Sequence, residues 1–164
     1  MKNNISVSIV MGSDSDLPIV KDAIEVMKEF KITYEILILS AHRSPDETAN
    51  FAKNALNKGI KVIIAAAGGS AHLAGVIASH FPLPVIGIPI KTSTLNGVDS
   101  LYSIVQMPPG VPVATVGING AKNAALLAIQ ILAINDKKMQ NKLIDYKKDL
   151  AKKVIEKSKK LCIK

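Results

Sequence analysis

Five short runs of apolar, mostly β-branched residues constrain the fold of this 164-residue sequence more than any other feature. They predict β-strands at Ile5–Met11, Tyr34–Leu39, Val62–Ala67, Val85–Ile88 and Val113–Val116. A strand that is apolar along its whole length has to be covered on both faces, as strands are in a parallel sheet. We therefore expect these runs to form the middle layer of the protein.

Stretches with helical periodicity separate the predicted strands. They lie at Pro18–Phe30, Pro45–Lys58, Leu73–His80 and Ala121–Ile134. The alternation of strand and helix predicts an α/β protein, a three-layer α/β/α sandwich with a parallel, flavodoxin-like sheet and right-handed crossovers. The segment Ile90–Gly110 is longer and less regular than the other connections, which is typical of functional or interface-forming loops.

Length and composition predict a single soluble domain. The chain is 48% apolar and 21% charged, so it can bury a full core and does not have the composition of a disordered chain. No apolar run reaches the roughly 18 residues that a membrane span needs, and the first residues do not resemble a signal peptide. We expect a cytoplasmic protein with no membrane partner. The single cysteine, Cys162, excludes an internal disulfide framework and a multi-cysteine metal site.

The positive charge of the chain is concentrated at its C-terminal end. Residues 136–164 contain eleven lysines and four acidic residues, whereas residues 1–135 contain ten basic and nine acidic residues. The chain has no Trp and only three Tyr and three Phe, so it offers no stacking platform for bases. We expect no nucleic-acid partner, and we divide the domain into a sandwich body, 1–135, and a Lys-rich helical extension, 136–164.

The C-terminal extension carries one apolar stripe on a helix. Met139, Leu143, Tyr146, Leu150 and Val154 follow each other at spacings of three or four residues, and lysines occupy the other faces. Such a helix can pack on its own domain or on a neighbouring subunit. Its length favours the second alternative, because a sandwich of this size has little free surface to cover it. We therefore expect a homo-oligomer.

Small polar loops follow the first three predicted strands. Ligands of open parallel sheets bind beyond the carboxyl ends of the strands, near the point where the strand order reverses. Since the three loops meet at that edge, the sequence predicts one site there. The loops are Gly12-Ser13-Asp14-Ser15-Asp16, Ser40-Ala41-His42-Arg43-Ser44-Pro45 and Gly68-Gly69-Ser70-Ala71-His72-Leu73.

The first loop can hold a phosphate or simply cap a helix. Hydroxyl groups and free backbone N–H groups at a helix start suit a phosphate, although the Gly-Lys-Ser/Thr ending of a P-loop is absent. In the simpler interpretation Ser15 or Asp16 is the N-cap, with Pro18 in the first turn. A carboxylate beside a phosphate would be repelled, so Asp16 suits sugar hydroxyls better.

The second and third loops contribute groups for anion binding and proton transfer. Arg43 is the only arginine beside twenty lysines, which favours a planar fork for a phosphate or carboxylate over an ion pair with Asp46 or Glu47. His42 can exchange a proton near neutral pH, or it can be structural. His72 can contact a ligand or cap the next helix. The pattern alone indicates a small phosphorylated, ribosyl ligand, with no metal or redox cofactor.

Together these loops resemble the PurE family of de novo purine synthesis, the carboxyaminoimidazole ribonucleotide mutases. The similarity continues in register through Leu83–Pro89, Gly97–Pro108 and Asn123–Ala128, and it extends from about Ile5 to Asp149. Six motifs in one order are far more specific than any of them alone.

The resemblance implies an enzyme that moves the carboxylate of N5-carboxyaminoimidazole ribonucleotide from the exocyclic nitrogen to a ring carbon. It implies no cofactor, no metal and a homo-octamer, and it leaves open a functional coupling to the enzyme that makes the labile carbamate. His42 would be the acid–base residue and Asp16 would bind the ribose. The phosphate would be held by Ser13, Ser15, Ser40 and Arg43. The loop that closes over the imidazole and the carboxylate would contribute Gly68, Gly69, Ser70, His72 and Leu73.

Three rival functions remain open from the sequence. An aminoimidazole ribonucleotide carboxylase would use free carbon dioxide on the same scaffold, but the Gly68–Leu73 loop resembles the mutase branch. A non-catalytic nucleotide-binding oligomer would use His42 only as a ligand contact. A nucleic-acid binder would depend on the Lys-rich extension and would bind with a steep salt dependence.

Overall fold

A computed structural model of the chain describes residues 5–161, which form a five-stranded parallel sheet with flanking helices. The strands are β1 Val7–Met11, β2 Tyr34–Ile38, β3 Val62–Gly68, β4 Val85–Ile90 and β5 Ala114–Thr115. The helices are α1 Leu17–Phe30, α2 Pro45–Ala55, α3 Leu73–His80, α4 Val98–Val105, α5 Ala121–Leu132 and α6 Lys137–Leu161. The predicted α/β class with a parallel, flavodoxin-like sheet is confirmed.

The strand order is β2-β1-β3-β4-β5. The chain leaves β1 toward β2 on one side and then returns to place β3 on the other side, so the order reverses between β1 and β3. In sheets of this order that reversal is where ligands bind, because the loops that follow the two strands diverge and leave a crevice. Gly12 and the Gly68 loop therefore flank the crevice by topology alone.

The central strands are buried on both faces, as their sequences predict. Every residue of β1 and β4 is buried, and so is every residue of β3 except Gly68 at its end. One face of the sheet packs Val10, Ile63 and Ala65 against α2 and α3, through residues such as Phe51 and Ile77. Residues on the opposite face, among them Ile9 and Ile64, are fully buried as well. With both faces covered, polar groups meet solvent at the ends of these strands, and the carboxyl ends form the edge that we call the rim.

The helices that follow the strands begin where the sequence predicts. α1 has Pro18 in its first turn, and it ends at Lys31, which adopts a left-handed conformation with φ 59°. α2 begins at Pro45 directly after the His42–Arg43 loop. Proline suits the first turn of a helix because its missing N–H would have no partner there. Each helix start thereby holds the preceding loop at the rim.

The segment Ile90–Gly110 contains a helix that the sequence analysis did not predict. Gly97, with φ 89°, precedes α4, and a side chain at this position would meet Ile118 at 2.7 Å. α4 buries Ser100 and Ile104, and Ile104 packs so closely on Gly87 of β4 that a Cβ there would lie 2.3 Å away. Eight residues are too few for a clear helical periodicity, so the helix depends on this packing.

The described residues form two compact units, divided between Ala128 and Ile129 within α5. The second unit consists mainly of the 25-residue helix α6, none of whose residues is buried. Its start is stabilised locally, because the amide of Gln140 donates to the carbonyl oxygens of Ala133 at 2.8 Å and of Ile134 at 3.1 Å. The expected docking of this helix on a neighbouring subunit stays a prediction. Cys162 lies outside the described residues.

Within residues 5–161, none of the helices combines the length and the apolar character that crossing a membrane requires.

Candidate active site

A cavity of about 510 Å³ lies at the rim where the three polar loops meet. Ten of the eleven residues predicted for the site line it. These are Ser13, Ser15, Asp16, Ser40, His42, Arg43, Gly68, Ser70, His72 and Leu73. Gly69 does not line the cavity. The structure therefore brings together residues from three separate loops, as the topology of a parallel sheet predicts.

The first loop is a compact hydroxyl cluster that opens a helix. Ser13 is the N-cap of a short 3-10 turn, Asp14–Asp16, and its hydroxyl accepts from the backbone N–H of Ser15 at 3.3 Å. The hydroxyl of Ser15 donates to that of Ser13 at 2.9 Å. The sequence analysis named Ser15 or Asp16 as the N-cap of α1, and Asp16 does hold that position, although its side chain makes no capping hydrogen bond. Both serine hydroxyls still border the cavity.

Asp16 is the buried carboxylate of this loop. Only 7% of it is exposed, and burial raises the pKa of its carboxyl above the ordinary value of 3.8. A hydrogen bond from the Ser15 hydroxyl at 3.4 Å lowers the pKa less than burial raises it. No side-chain bond from Asp16 caps α1. A buried carboxylate with this little local support can accept hydrogen bonds from a ligand's hydroxyl groups.

Arg43 bridges two of the loops. One terminal nitrogen, Nη2, donates to the carbonyl oxygen of Gly12 at 2.8 Å, and Nε donates to the hydroxyl of Ser40 at 3.4 Å. The Arg43 backbone N–H also donates to the Ser40 hydroxyl, at 3.2 Å. Within residues 5–161 Arg43 forms no ion pair with Asp46 or Glu47. Its guanidinium borders the cavity and is held there by neutral oxygen acceptors, and it also lowers the pKa of Asp16 by its charge, an effect smaller than that of burial.

His42 and His72 form a direct pair across the cavity. Nε2 of His42 lies 2.9 Å from Nδ1 of His72, and the rings meet edge to face at 81°. The two histidines are 30 residues apart in sequence and belong to different loops. His72 makes no side-chain capping bond to α3, although it holds the N-cap position. Of the two alternatives left open for His72, the structure therefore places its side chain at the cavity.

The pair constrains where protons can be. A hydrogen bond between two imidazole nitrogens needs one N–H and one lone pair, so the two facing nitrogens share a single proton. Protonation of both rings would turn two N–H groups toward each other and break the contact. The outer nitrogens of the two rings, Nδ1 of His42 and Nε2 of His72, stay free to exchange protons elsewhere. Such a pair can supply and recover one proton without rearranging the loops.

The third loop is tied to helix α4 by a buried serine. The backbone N–H of Gly69 donates to the hydroxyl of Ser100 at 2.9 Å, and that hydroxyl donates to the carbonyl oxygen of Ile90 at 2.8 Å. Gly69 has φ 62°, a conformation that glycine adopts without strain. This turn directs Gly69 toward α4, which is why it does not line the cavity. Its neighbours Gly68 and Ser70 do.

The sequence analysis missed the fourth loop of the site. Ile90, the last residue of β4, and Lys91 and Thr92, which follow it, line the cavity. The rule that found the other loops, which inspects the residues after each strand, would also have found these. Ser100, which supports the third loop from α4, carried no recognisable signal.

Within residues 5–161, the structure contains no group of three or more histidine, cysteine or acidic side chains that could hold a metal ion.

The fold and this cavity define a flavodoxin-like α/β protein whose site lies at the reversal of strand order, and comparison with known proteins assigns the chain more narrowly. It belongs to the AIR carboxylase family, which matches residues 6–153. An N5-carboxyaminoimidazole ribonucleotide mutase of Thermotoga maritima is 59% identical over 155 residues, which are 94% of this chain and 91% of that protein. The resemblance to the PurE family, inferred from six motifs, is thereby confirmed.

Two further comparisons bear on the fold and on the branch of the family. A crystal structure of Treponema denticola PurE superposes with a TM-score of 0.85 and 34% identity, covering 95% of this chain and 98% of that chain. A phosphoribosylaminoimidazole carboxylase of Schizosaccharomyces pombe is 53% identical, but the match covers only 28% of that protein. The mutases match over nearly their full length, whereas the fungal carboxylase contains much more chain.

Proposed function

We propose that this chain is an N5-carboxyaminoimidazole ribonucleotide mutase, which converts that carbamate into 4-carboxy-5-aminoimidazole ribonucleotide. The observation that carries the proposal is the 59% identity to a mutase that this chain matches over nearly the full length of both proteins. The cavity supports it, because it offers anion donors, a buried carboxylate and a proton-exchanging pair. These are the groups that an acidic ribonucleotide and an internal proton transfer require.

In the proposed complex the phosphate lies against Ser13, Ser15, Ser40 and Arg43. Helix starts and serine hydroxyls offer donors without charge, and the Arg43 fork adds the positive charge. Asp16 accepts hydrogen bonds from the ribose hydroxyl groups. Gly68, Ser70 and Leu73 would then bound the base, while Gly69 would position that loop rather than touch the ligand.

His42 is the proposed acid–base residue. Its imidazolium donates a proton to the exocyclic nitrogen of the carbamate, the carbon–nitrogen bond breaks, and carbon dioxide is released beside aminoimidazole ribonucleotide. The electron-rich ring carbon then forms a bond to carbon dioxide. His42, now neutral, removes the proton from that carbon and the ring regains aromaticity. The proton gained in the last step replaces the one given in the first, so the residue ends as it began.

Two features of the site favour this sequence of steps. Residues from four loops line one cavity, so carbon dioxide released inside it starts next to the ring carbon, which makes its recapture effectively intramolecular. The bond between His42 and His72 fixes the orientation of the His42 ring and so directs its other nitrogen. His72 is in this scheme a positioning residue.

The test is turnover of freshly prepared N5-carboxyaminoimidazole ribonucleotide, followed by the ultraviolet change as the ring-carboxylated product forms. Because the chain has no Trp, its own absorbance interferes little. Conversion without added metal, nucleoside triphosphate or bicarbonate is the expected result. Activity that instead requires aminoimidazole ribonucleotide and carbon dioxide would contradict the mutase proposal. Tight binding of the ribonucleotide without conversion would indicate a binding protein.

The carboxylase is the second candidate, and it is favoured by the fungal relatives of that name. It uses the same cavity and the same two ribonucleotides, so binding alone does not separate the two activities. The two activities are separated by comparing turnover of aminoimidazole ribonucleotide with added bicarbonate and turnover of the carbamate alone.

We further propose that the protein assembles as a homo-octamer in the cytoplasm, with the apolar stripe of α6 covered by another copy. Val154 is 67% exposed and Ile155 is 54% exposed, although both are apolar. A cleft of about 410 Å³ within the second unit, lined by Ile134, Leu143 and Ile144 among others, continues this apolar surface. Coupling to the enzyme that supplies the labile carbamate also remains a proposal.

The assembly can be tested by measuring molar mass in solution for the wild type and for Val154→Asp. The wild type should have the mass of eight chains, and the charged variant should dissociate. Lys152→Glu, a charge change on the same helix outside the stripe, is the matched control. A monomeric wild type would contradict the proposed assembly.

A further inference from the structure

Lys91 is a charged residue of the cavity to which the function proposed above gives no role. It follows β4 directly and lines the cavity together with Ile90 and Thr92. Arg43 is the other cavity residue with a permanently charged basic side chain. Within the described range, 5–161, the Lys91 side chain has no hydrogen-bond or ion-pair partner.

The backbone of Lys91 is held in place on both sides. Its N–H donates to the side-chain oxygen of Asn119 at 2.8 Å, and the N–H of Asn119 donates to the carbonyl oxygen of Pro89 at 2.8 Å. Asn119 adopts a left-handed conformation, φ 57°, which asparagine tolerates better than most residues. On the other side the hydroxyl of Thr92 donates to the carboxylate of Asp99 at 3.1 Å. These bonds fix the backbone of Lys91, while the exposed side chain of Lys91 can move.

The strand order separates Lys91 from Arg43 along the cavity. The Arg43 guanidinium bonds to Gly12, at the end of β1, and Lys91 follows β4. β3 lies between those two strands, so two strand intervals, about 10 Å, separate the two ends. The β3 loop with Gly68 lies in the middle, and the Thr92 methyl group would lie 3.1 Å from a Cβ on Gly68. The cavity therefore has a cation near each end.

We propose that the Lys91 ammonium binds the carboxylate on the base of the ribonucleotide, at the opposite end of the cavity from the phosphate. This inference rests on the proposed function, because that substrate class carries one anionic group at each end. The serine cluster and Arg43 provide the donors for the phosphate. Lys91 is the cation placed to meet the second anion and to favour the carboxylated ribonucleotides over aminoimidazole ribonucleotide.

The experiment compares two ligands that differ by that carboxylate. Dissociation constants for 4-carboxy-5-aminoimidazole ribonucleotide and for aminoimidazole ribonucleotide are measured by calorimetry on the wild type, Lys91→Gln and Lys91→Arg. Lys53→Gln, which removes an exposed lysine that does not line the cavity, is the matched control. Thermal unfolding of each variant checks that it is folded.

Lys91→Gln should weaken binding of the carboxylated ligand about fivefold, the factor expected for one accessible ion pair, and binding of the other ligand less than twofold. Lys91→Arg should retain most of the affinity, and Lys53→Gln should match the wild type. The discrimination between the ligands should shrink as salt is added.

If Lys91→Gln weakened the binding of both ligands equally, the inference would be overturned. Lys91 would then act on the phosphate or through the overall electrostatic field of the cavity. Unchanged affinity for both would overturn it as well. A wild type that binds neither ribonucleotide would refute the proposed function instead, and with it the basis of the inference. The two failures are therefore distinguishable.

Discussion

The loops at the rim of the sheet and the helix α6 are both exposed and polar, yet they are built in opposite ways. At the rim, hydrogen bonds connect residues far apart in sequence, such as Arg43 to Gly12 at 2.8 Å and Gly69 to Ser100 at 2.9 Å. In α6 the ion pair of Lys148 with Asp145, at 3.2 Å, lies within one helical turn. Three of the rim loops follow the buried strands β1, β3 and β4, whereas none of the residues of α6 is buried.

Exposed charge alone does not identify a site. Eleven lysines in residues 136–164 produce most of the net charge, but an exposed ion pair such as that of Lys148 with Asp145, in which both side chains are 72% exposed, does little to fix the direction of a charge. One arginine at the rim, held by two partners, presents its charge to a cavity. A functional group needs a fixed orientation, and the buried sheet supplies it.

The largest expected effect is loss of turnover in His42→Asn. Removing the proposed acid–base group should lower kcat about 10³-fold, while the affinity for the ribonucleotide changes only a few fold. Steady-state kinetics and calorimetry on the same preparation measure both. His80→Asn, which changes a histidine outside the cavity, should behave as the wild type. Appreciable activity of His42→Asn would show that the acid–base assignment is wrong.

The second prediction concerns the core beneath the rim. Ile64 on β3 is 0% exposed, so Ile64→Ala should lower the free energy of unfolding by about 2–5 kcal/mol. Ile64→Val, which removes one methylene, should lower it by about 0.5–1.5 kcal/mol. Denaturant unfolding measures both values. If Ile64→Ala lowered the free energy of unfolding by less than about 2 kcal/mol, the packing of β3 would contribute less to stability than its complete burial indicates.

The third prediction separates orientation from charge. Arg43→Lys keeps the charge but loses the planar fork, and it should weaken ribonucleotide binding about tenfold. Lys152→Gln on α6 removes a whole charge and should change binding less than twofold, because Lys152 does not line the cavity and salt screens an exposed charge. Calorimetry at physiological ionic strength measures both variants. If Lys152→Gln weakened binding more than Arg43→Lys, net charge rather than local geometry would control binding.

The smallest predicted effect is a pH dependence that originates in Asp16. Burial raises the pKa of this carboxyl, so it takes up a proton at a higher pH than an exposed aspartate. The protonated form accepts hydrogen bonds from ribose poorly, and the affinity should therefore fall a few fold as the pH decreases through that raised pKa. Asp16→Asn should bind more weakly at neutral pH and should lose this part of the pH profile. Titrations of both proteins over the acidic range are the measurement, and parallel profiles would contradict the assignment.

Much of the fold and most of the site residues could be predicted from the sequence, because their signals are local. Continuous apolar runs such as Val62–Ala67 are typical of strands covered on both faces, and β3 is such a strand. Glycine, serine and histidine directly after those strands indicate a rim, and ten of the eleven named residues do line one cavity. Their roles in binding and catalysis stay predictions.

The errors have a common physical origin. Helix α4 and the supporting Ser100 depend on contacts with β4 and with Gly69, partners that no short window of sequence contains. The 3-10 turn Asp14–Asp16, which Ser13 caps ahead of α1, was not predicted either, because three residues carry no periodicity. Lys91 was missed because it lies in the segment Ile90–Gly110, in which helix α4 had not been predicted.

By itself, the sequence determined the strands, the polar loops that follow them and the resemblance to one family, because periodicity and residue type are properties of neighbouring residues. Only the tertiary structure decided that His42 meets His72, that Arg43 holds Gly12, and that Lys91 borders the same cavity. Those contacts depend on the order in which strands pair. That order is set by how the helices cover both faces of the sheet, and no single segment of the chain specifies it.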